Sequence, residues 1–298
     1  MSRFYLLSVS LIFLLGSCNT GTQSNDTQTA GYIQVSVDET YQPVMEQAIK
    51  VFEARYPEAH IQVEYKPEAD CFRDYLEDST RVIFVSRKLT EEENAYAEQN
   101  KIVSRSLPLA RDALAFVVAK DAKRNNFSKK QIKDILVGNS NAGDFQLVFD
   151  NKNSSTVRNI MDSVIPGQEL SENLYAANGS EDVIDYVAKN PRAIGVVGVP
   201  WVADTRDTNT IDFLSKVQVA GILPDSGQEF LRPYQAYIGL NTYPFTRNLY
   251  FISKETWVGL GTGLVNFLSR DGQLIFKQSK LFPLQVNVLL KQTQIKNN

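Results

Sequence analysis

The sequence predicts an α/β fold in two lobes, each a mostly parallel sheet flanked by helices, joined by two crossing strands. Three observations carry this. Strand and helix patterns alternate from residue 31 onward. The strand over residues 81–85 is nearly all apolar, as in a sheet covered on both faces. A long apolar strand over 112–119 and a returning strand over 234–240 take the chain across a midline twice. The middle of the chain then lies in one lobe and both ends in the other. Residues 31–118 and 235–298 are assigned to the first lobe and 119–234 to the second. The chain's 298 residues suffice for two ordinary domains, and an apolar content of 43% can fill their cores.

Residues 1–18 read as an export signal. Arg3 supplies a small positive start, and the apolar run over 4–15 is shorter than the roughly 20 residues that span a bilayer. Leu15-Gly16-Ser17-Cys18 ends it and resembles a bacterial lipobox, which implies cleavage before Cys18 and lipid attachment there. Residues 19–30 hold no apolar side chain larger than alanine and are read as a flexible tether. Cys71 is then the single thiol besides the lipidated one, so no intramolecular disulfide is expected.

The first lobe opens with Ile33, Val35 and Val37 alternating on one strand face. Thr40 is expected to cap a helix whose apolar stripe is Val44, Ala48, Val51 and Phe52. Tyr56-Pro57 ends that helix, and Ile61, Val63 and Tyr65 alternate as a second strand. A short helix over 71–76 and the strand over 81–85 follow. Ser86-Arg87 then stands at a strand's carboxyl end, where open α/β sheets bind ligands. Thr90 and Glu93 match a capping box. In the second lobe, helices are expected over 128–136 and 180–189, and a buried strand over 193–198. Further helices are expected over 262–268 and 273–276.

The candidate binding loop is the run from Asp150 to Asp162. A short strand over 146–149 leads into Asn153, Ser154, Ser155 and Thr156. An amphipathic helix with Val157, Ile160, Met161 and Val164 inward follows. Ser155 or Thr156 is the expected N-cap, and the unpaired N–H groups of the helix start favour an anion. Arg158 in the first turn opposes the helix dipole, and an anion held nearby accounts for it.

Composition excludes other functions. A net charge of −3 gives no electrostatic footprint for nucleic acid. A single His (His60) and two Cys rule out a multi-His or Cys-cluster zinc site. Glu68 and Asp70, the nearest thing to an acid–base pair, sit in a polar stretch and read as solvated surface. No enzyme activity, cofactor or metal is expected.

Assembled in order, the residues resemble the solute-binding proteins of the phosphate-type ABC uptake family (PstS-like). The resemblance spans about residues 31–284. It rests on Thr40 after the first strand, Ser86-Arg87-Lys88-Leu89, Ala110-Arg111-Asp112, Ser154-Ser155-Thr156, and Gly179-Ser180. It rests further on Asn190-Pro191-Arg192-Ala193-Ile194-Gly195, on Tyr243 through Tyr250, and on Asp271-Gly272-Gln273 before Phe282-Pro283-Leu284. It implies a periplasmic-binding-protein-like clamp that closes on one oxyanion, most simply inorganic phosphate. The implied ligand-binding set is Thr40, Ser86, Arg87, Ser154, Ser155, Thr156 and Arg158. It also implies a monomer in the cell envelope, held to the membrane by its lipid and delivering its ligand to an ABC transporter permease. A sensor or interaction lipoprotein with the same fold, or a binding protein for a different ligand, is the alternative. Two departures bear on the ligand. Asp150 stands where the family has an arginine, and Asp38-Glu39-Thr40 replaces a Gly-Ser-Thr-like loop. A carboxylate acceptor would favour hydrogen phosphate over sulfate, and Lys152 or Arg158 is the expected substitute cation. The whole reading requires a cleft that the chain's own side chains do not fill.

Overall fold

The computed structural model describes residues 26–77, 80–139, 145–171, 174–204 and 206–285. The expected export signal, Cys18 and most of the expected tether lie outside them. No helix among the described residues is long and apolar enough to cross a membrane.

Strand β1 (Gly31–Asp38) buries Ile33, Val35 and Val37. A tight 3-10 turn over Glu39–Tyr41 follows, capped by Asp38, which takes the Thr40 N–H on its carboxylate; Thr40 lies within this turn and does not cap the following helix, whose N-cap Tyr41 makes no side-chain bond. Helix α1 (Gln42–Arg55) buries Val44, Met45, Ala48, Ile49 and Phe52. Met45 and Ile49 rotate the apolar stripe, so Val51, expected within it, falls at its edge and faces solvent. Next come β2 (Ala59–Lys66), α2 (Glu68–Glu77), β3 (Val82–Val85) and α3 (Glu91–Gln99). Thr90 and Glu93 form the expected capping box.

Strand β4 (Arg105–Ala119) is fifteen residues long and begins well before residue 112. After it come β5 (Asn126–Ser128), α4 (Lys129–Leu136), β6 (Gln146–Phe149), α5 (Ser155–Val164), β7 (Tyr175–Ala176), α6 (Ser180–Lys189) and β8 (Ala193–Gly198). The chain continues through α7 (Pro200–Ala203), α8 (Thr208–Lys216), β9 (Val217–Val219) and β10 (Gly221–Leu223). It ends with α9 (Gln235–Gly239), β11 (Thr246–Ser253), α10 (Leu260–Leu268), α11 (Gln273–Gln278) and β12 (Phe282–Pro283).

The strand expected over 234–240 is a helix, α9. A short apolar run does not distinguish the two. Here Ile238 alone is buried, and the carbonyl of Gly239 accepts from the Arg111 guanidinium. The chain returns in β11 instead.

The main sheet runs β2-β1-β3-β11-β4-β8-β6-β7. β1 is parallel to β2 and β3, and β6 is parallel to β7 and β8. β11 and β4 run antiparallel through the middle. The length of β4 organises the molecule. Residues 105–113 pair with β11, and residues 114–117 pair with β8. One core gathers Val35, Phe52, Phe84, Leu109, Leu249 and Phe276. The other gathers Phe116, Leu147, Ile160, Ile184, Val197 and Phe245. Burial of such aliphatic and aromatic side chains supplies about 1.5–3 kcal/mol each and holds each half together. Cys71 is a buried free thiol in a smaller cluster with Phe72 and Ile83. Asp26, within the stretch read as tether, accepts two hydrogen bonds from Arg81 and one from the Leu260 N–H, so residues 26–30 lie against the first half.

Candidate ligand-binding cleft

The two halves meet at the carboxyl ends of β1, β2, β3 and β6. Every residue expected to bind an oxyanion is near this seam, and they fall into two clusters.

The first cluster surrounds Arg247 and Asp150. Arg247 enters from β11, which places its side chain between the halves. Its Nη2 donates to Thr40 Oγ1 at 2.6 Å, its Nη1 to Ser155 Oγ at 2.9 Å, and its Nε to Asp112 Oδ2 at 2.9 Å. Its guanidinium also lies 5.3 Å from the Tyr41 ring centroid. Thr40, Ser155 and Asp112 are fully buried. Arg247 is thus a buried cation among the loop hydroxyls, engaged with the chain's own groups. Lys152 is exposed, and Arg158 is engaged elsewhere.

The N-cap of α5 is Ser154, one residue earlier than expected, with its hydroxyl accepting from the Val157 N–H. That hydroxyl donates to Asp150 Oδ1 at 2.6 Å, and Thr156 Oγ1 donates to Asp150 Oδ2 at 2.9 Å. Asp150 is thus the acceptor for the hydroxyls that the sequence assigns to a ligand. Its carboxyl is held above its ordinary range by burial, against the pull of the Ser154 and Thr156 hydrogen bonds.

The second cluster surrounds Glu68. The sequence reads this residue as solvated, yet it is 2% exposed, because α2 begins at the seam and turns its first residue inward. Glu68 Oε1 accepts from Ser86 N and Ser86 Oγ at 2.8 and 2.7 Å. Its Oε2 accepts from Arg158 Nε at 2.7 Å, and Arg158 Nη2 donates to Ser86 Oγ at 2.6 Å. Arg158 comes from the second half and Glu68 and Ser86 from the first, so this cluster bridges them. Arg87 flanks this cluster, with its Nε 3.9 Å from Glu68 Oε2; it also makes a paired contact with Glu93 at 2.6 and 2.8 Å and stacks 3.7 Å from the Phe72 ring centroid.

A third carboxylate completes the pattern. Glu39 crosses the seam to the start of α6, where Oε1 accepts from Ser180 N at 2.9 Å and Oε2 from Ser180 Oγ at 3.0 Å. Gly179 precedes it at φ 152°, a backbone that favours glycine. The helix dipole welcomes a negative group there. Burial, with the charge of Asp150, nonetheless pushes the Glu39 carboxyl up to about 7. At each of these three positions a carboxylate of the chain occupies donors that would suit an oxyanion. The chain's own carboxylates therefore bridge the cleft without filling it.

A polar cavity of about 100 Å3 is lined from one half by Asp38, Glu39, Tyr65 and Lys66 and from the other by Asp150 and Ser154, among others, and a second of about 350 Å3 by Glu68, Arg87, Lys152, Ser154 and Arg158, among others. Sequence reasoning missed Glu68 and Arg247 as parts of the site, and named Glu39 only as a surplus carboxylate of the first loop. The signal for Arg247 lay in the run from Tyr243 to Tyr250, which marked the family without a role for its arginine.

Two cores, two central strands that serve both, and a polar cavity at the strand ends define a two-lobed periplasmic-binding-protein fold. The chain belongs to the PBP superfamily domain family, whose model matches residues 22–271. Among solved structures, it is similar to a protein from Clostridium perfringens assigned as a phosphate ABC transporter substrate-binding protein and solved with phosphate bound. The two share 20% identity and a TM-score of 0.69, over 85% of this chain and 100% of that one. An ABC-type phosphate transport receptor from Vibrio cholerae is 16% identical, with a TM-score of 0.62, over 85% of this chain and 100% of that one. The regulatory domain of Synechocystis CcmR, in complex with 2-PG, is 14% identical, with a TM-score of 0.54, over 80% and 95%. At these identities the likeness establishes the fold. No match was found among curated protein sequences.

Proposed function

We propose that this chain is an exported solute-binding protein of the cell envelope, held to the membrane by lipid at Cys18, that presents a small solute to an ABC importer permease. The cavity of about 100 Å3 between the halves, at the carboxyl ends of the strands, carries this reading. Its relatives in fold include substrate-binding proteins of phosphate ABC transporters.

Inorganic phosphate is the first ligand that the resemblance suggests, and Thr40, Ser86, Arg87, Ser154, Ser155, Thr156 and Arg158 its proposed contacts. The geometry argues for weak binding of free phosphate at neutral pH. A dianion would have to displace Asp150 from Ser154 and Thr156, or Glu68 from Ser86 and Arg158, and remain beside the carboxylates it displaced. Titration calorimetry with phosphate, sulfate and molybdate, with mass spectrometry of solute released from purified protein, tests this. The expected result is a released small solute and no sub-millimolar oxyanion affinity at pH 7.5. Micromolar phosphate binding would make the chain a phosphate carrier.

A second reading is an envelope sensor or interaction module that reuses the clamp. The side-chain seam favours it: Arg247, Glu39 and Arg158 join the halves directly. It predicts a stable protein partner in pull-downs and no solute released.

A further inference from the structure

Hydrogen-bond accounting in the cavity narrows what kind of solute fits. Its one cation and its serine are already engaged. The Ser154 hydroxyl serves Asp150, and the Lys66 ammonium lies 2.5 Å from Glu64 and 2.6 Å from Asp74. The Asn151 and Asn178 side chains line the cavity as neutral groups, and a buried carboxylate oxygen is left open as an acceptor. Asp38 is 1% exposed; its Oδ1 takes the Thr40 N–H, while its Oδ2 finds no hydrogen-bond partner among the described residues. The Tyr65 hydroxyl is likewise buried and without a partner among them. Both residues line the cavity, together with Glu39 and Asp150.

Around Asp38, Glu68 and Asp150 add negative field, while the Arg247 charge and a hydrogen bond from the Ser155 hydroxyl oppose it. Burial and the Glu68 charge hold the Asp38 carboxyl well above its ordinary range. An anion placed here meets Asp38, Glu39 and Asp150 with one already-paired lysine. An apolar group leaves Asp38 Oδ2 desolvated and unpaired, which is unfavourable. A cation with N–H donors fills the open acceptor, and its charge draws the buried Asp38 carboxyl back toward the ionised form. Among the described residues no group of His, Cys, Asp or Glu is arranged to hold a metal ion, which favours an organic head over a bare ion.

We propose that the cavity receives the cationic head of a small amine or guanidine, with Asp38 Oδ2 as its principal acceptor and the Tyr65 hydroxyl as a second. This rests on the solute-binding reading above and names its substrate class. It reverses the polarity of the oxyanion site on the same scaffold.

The test is calorimetry of the mature protein with methylamine hydrochloride and methylguanidinium chloride. Choline chloride, which has no N–H donor, sodium chloride and sodium phosphate serve as comparisons. Saturable heat from methylamine or methylguanidinium, and none from choline or phosphate, is the expected result. Asp38→Asn keeps the shape and removes the charge, and should weaken that binding about tenfold or more. Tyr65→Phe should weaken it by a smaller factor, with both variants melting cooperatively by circular dichroism. No saturable heat from either cation, or equal affinity in a folded Asp38→Asn protein, overturns the proposal. Mass spectrometry of the solute released on denaturation separates the two levels. An anionic or neutral solute keeps the solute-binding reading and removes this one. No solute and no heat remove both.

Discussion

Arg247 and Asp112 are register partners in the β4–β11 ladder, and Arg247 Nε donates to Asp112 Oδ2 at 2.9 Å with both side chains out of water. The pair sits where the two central strands pass from one core to the other. From it the guanidinium reaches Thr40 in the first half and Ser155 in the second. A buried ion pair is costly to half-remove, because the survivor is left charged and dry. Asp112→Ala should therefore lower stability by about 3–5 kcal/mol in urea unfolding. The double change Asp112→Leu with Arg247→Met should cost less than that single change. A loss below about 1 kcal/mol for Asp112→Ala, the size of an exposed pair, would show that the pair is not buried in solution.

Gly198 ends β8 directly against the first half. A Cβ there would stand 2.3 Å from Thr40 Oγ1 and 3.1 Å from Arg247 Nη2. Gly198→Ala should thus loosen the seam itself. Gly195→Ala, whose Cβ would press first on Val183, Val117 and Val187 within the second core, is the control. Both should destabilise by about 1–3 kcal/mol. Small-angle scattering should show an increased radius of gyration for Gly198→Ala alone.

Asp150 competes with any anion for the Ser154 and Thr156 hydroxyls. Asp150→Asn removes the charge at nearly constant shape. Phosphate affinity measured by calorimetry should rise about tenfold or more, the scale of one charge-assisted hydrogen bond. No change in the phosphate titration would mean that Asp150 is not what keeps phosphate out.

Glu39 links stability to pH. Its carboxyl is raised from an ordinary 4.5 to about 7 in the fold, first by burial and then by the Asp150 charge. Between these values the folded chain holds a proton that the unfolded chain has released. Stability is then fully present below about 4.5 and is lost as pH rises through about 7. Burial raises Asp150 in the same direction. The midpoint of thermal unfolding should be higher at pH 5.5 than at pH 7.5, and Glu39→Gln should flatten that difference. A midpoint that climbs from pH 5.5 to 7.5 would contradict the assignment.

The elements were largely legible because their signals are local. Alternation marked β1 and β2, the capping box marked α3, and the break at Tyr56-Pro57 ended α1. The run over 234–240 misled because a few apolar residues suit either period, and contact with Arg111 decided for a helix. At the site, Thr40, Ser86, Ser154, Ser155 and Thr156 were visible as hydroxyls at strand ends. Their partners were not. Glu39 meets Ser180 across 141 positions, and Arg247 meets Thr40 across 207. No periodicity reports on such separations.

The amino-acid order alone determined the alternation of strands and helices, the family, and the presence of surplus carboxylates beside an oxyanion loop. Only the folded chain decided what those carboxylates do. Packing β1, α2 and β6 at one seam removes Asp38, Glu68 and Asp150 from water, and a dry carboxylate must take a hydrogen-bond donor or bind a proton. In this protein Asp150 takes the donors of the loop itself, and that choice sets the polarity of the remaining cavity.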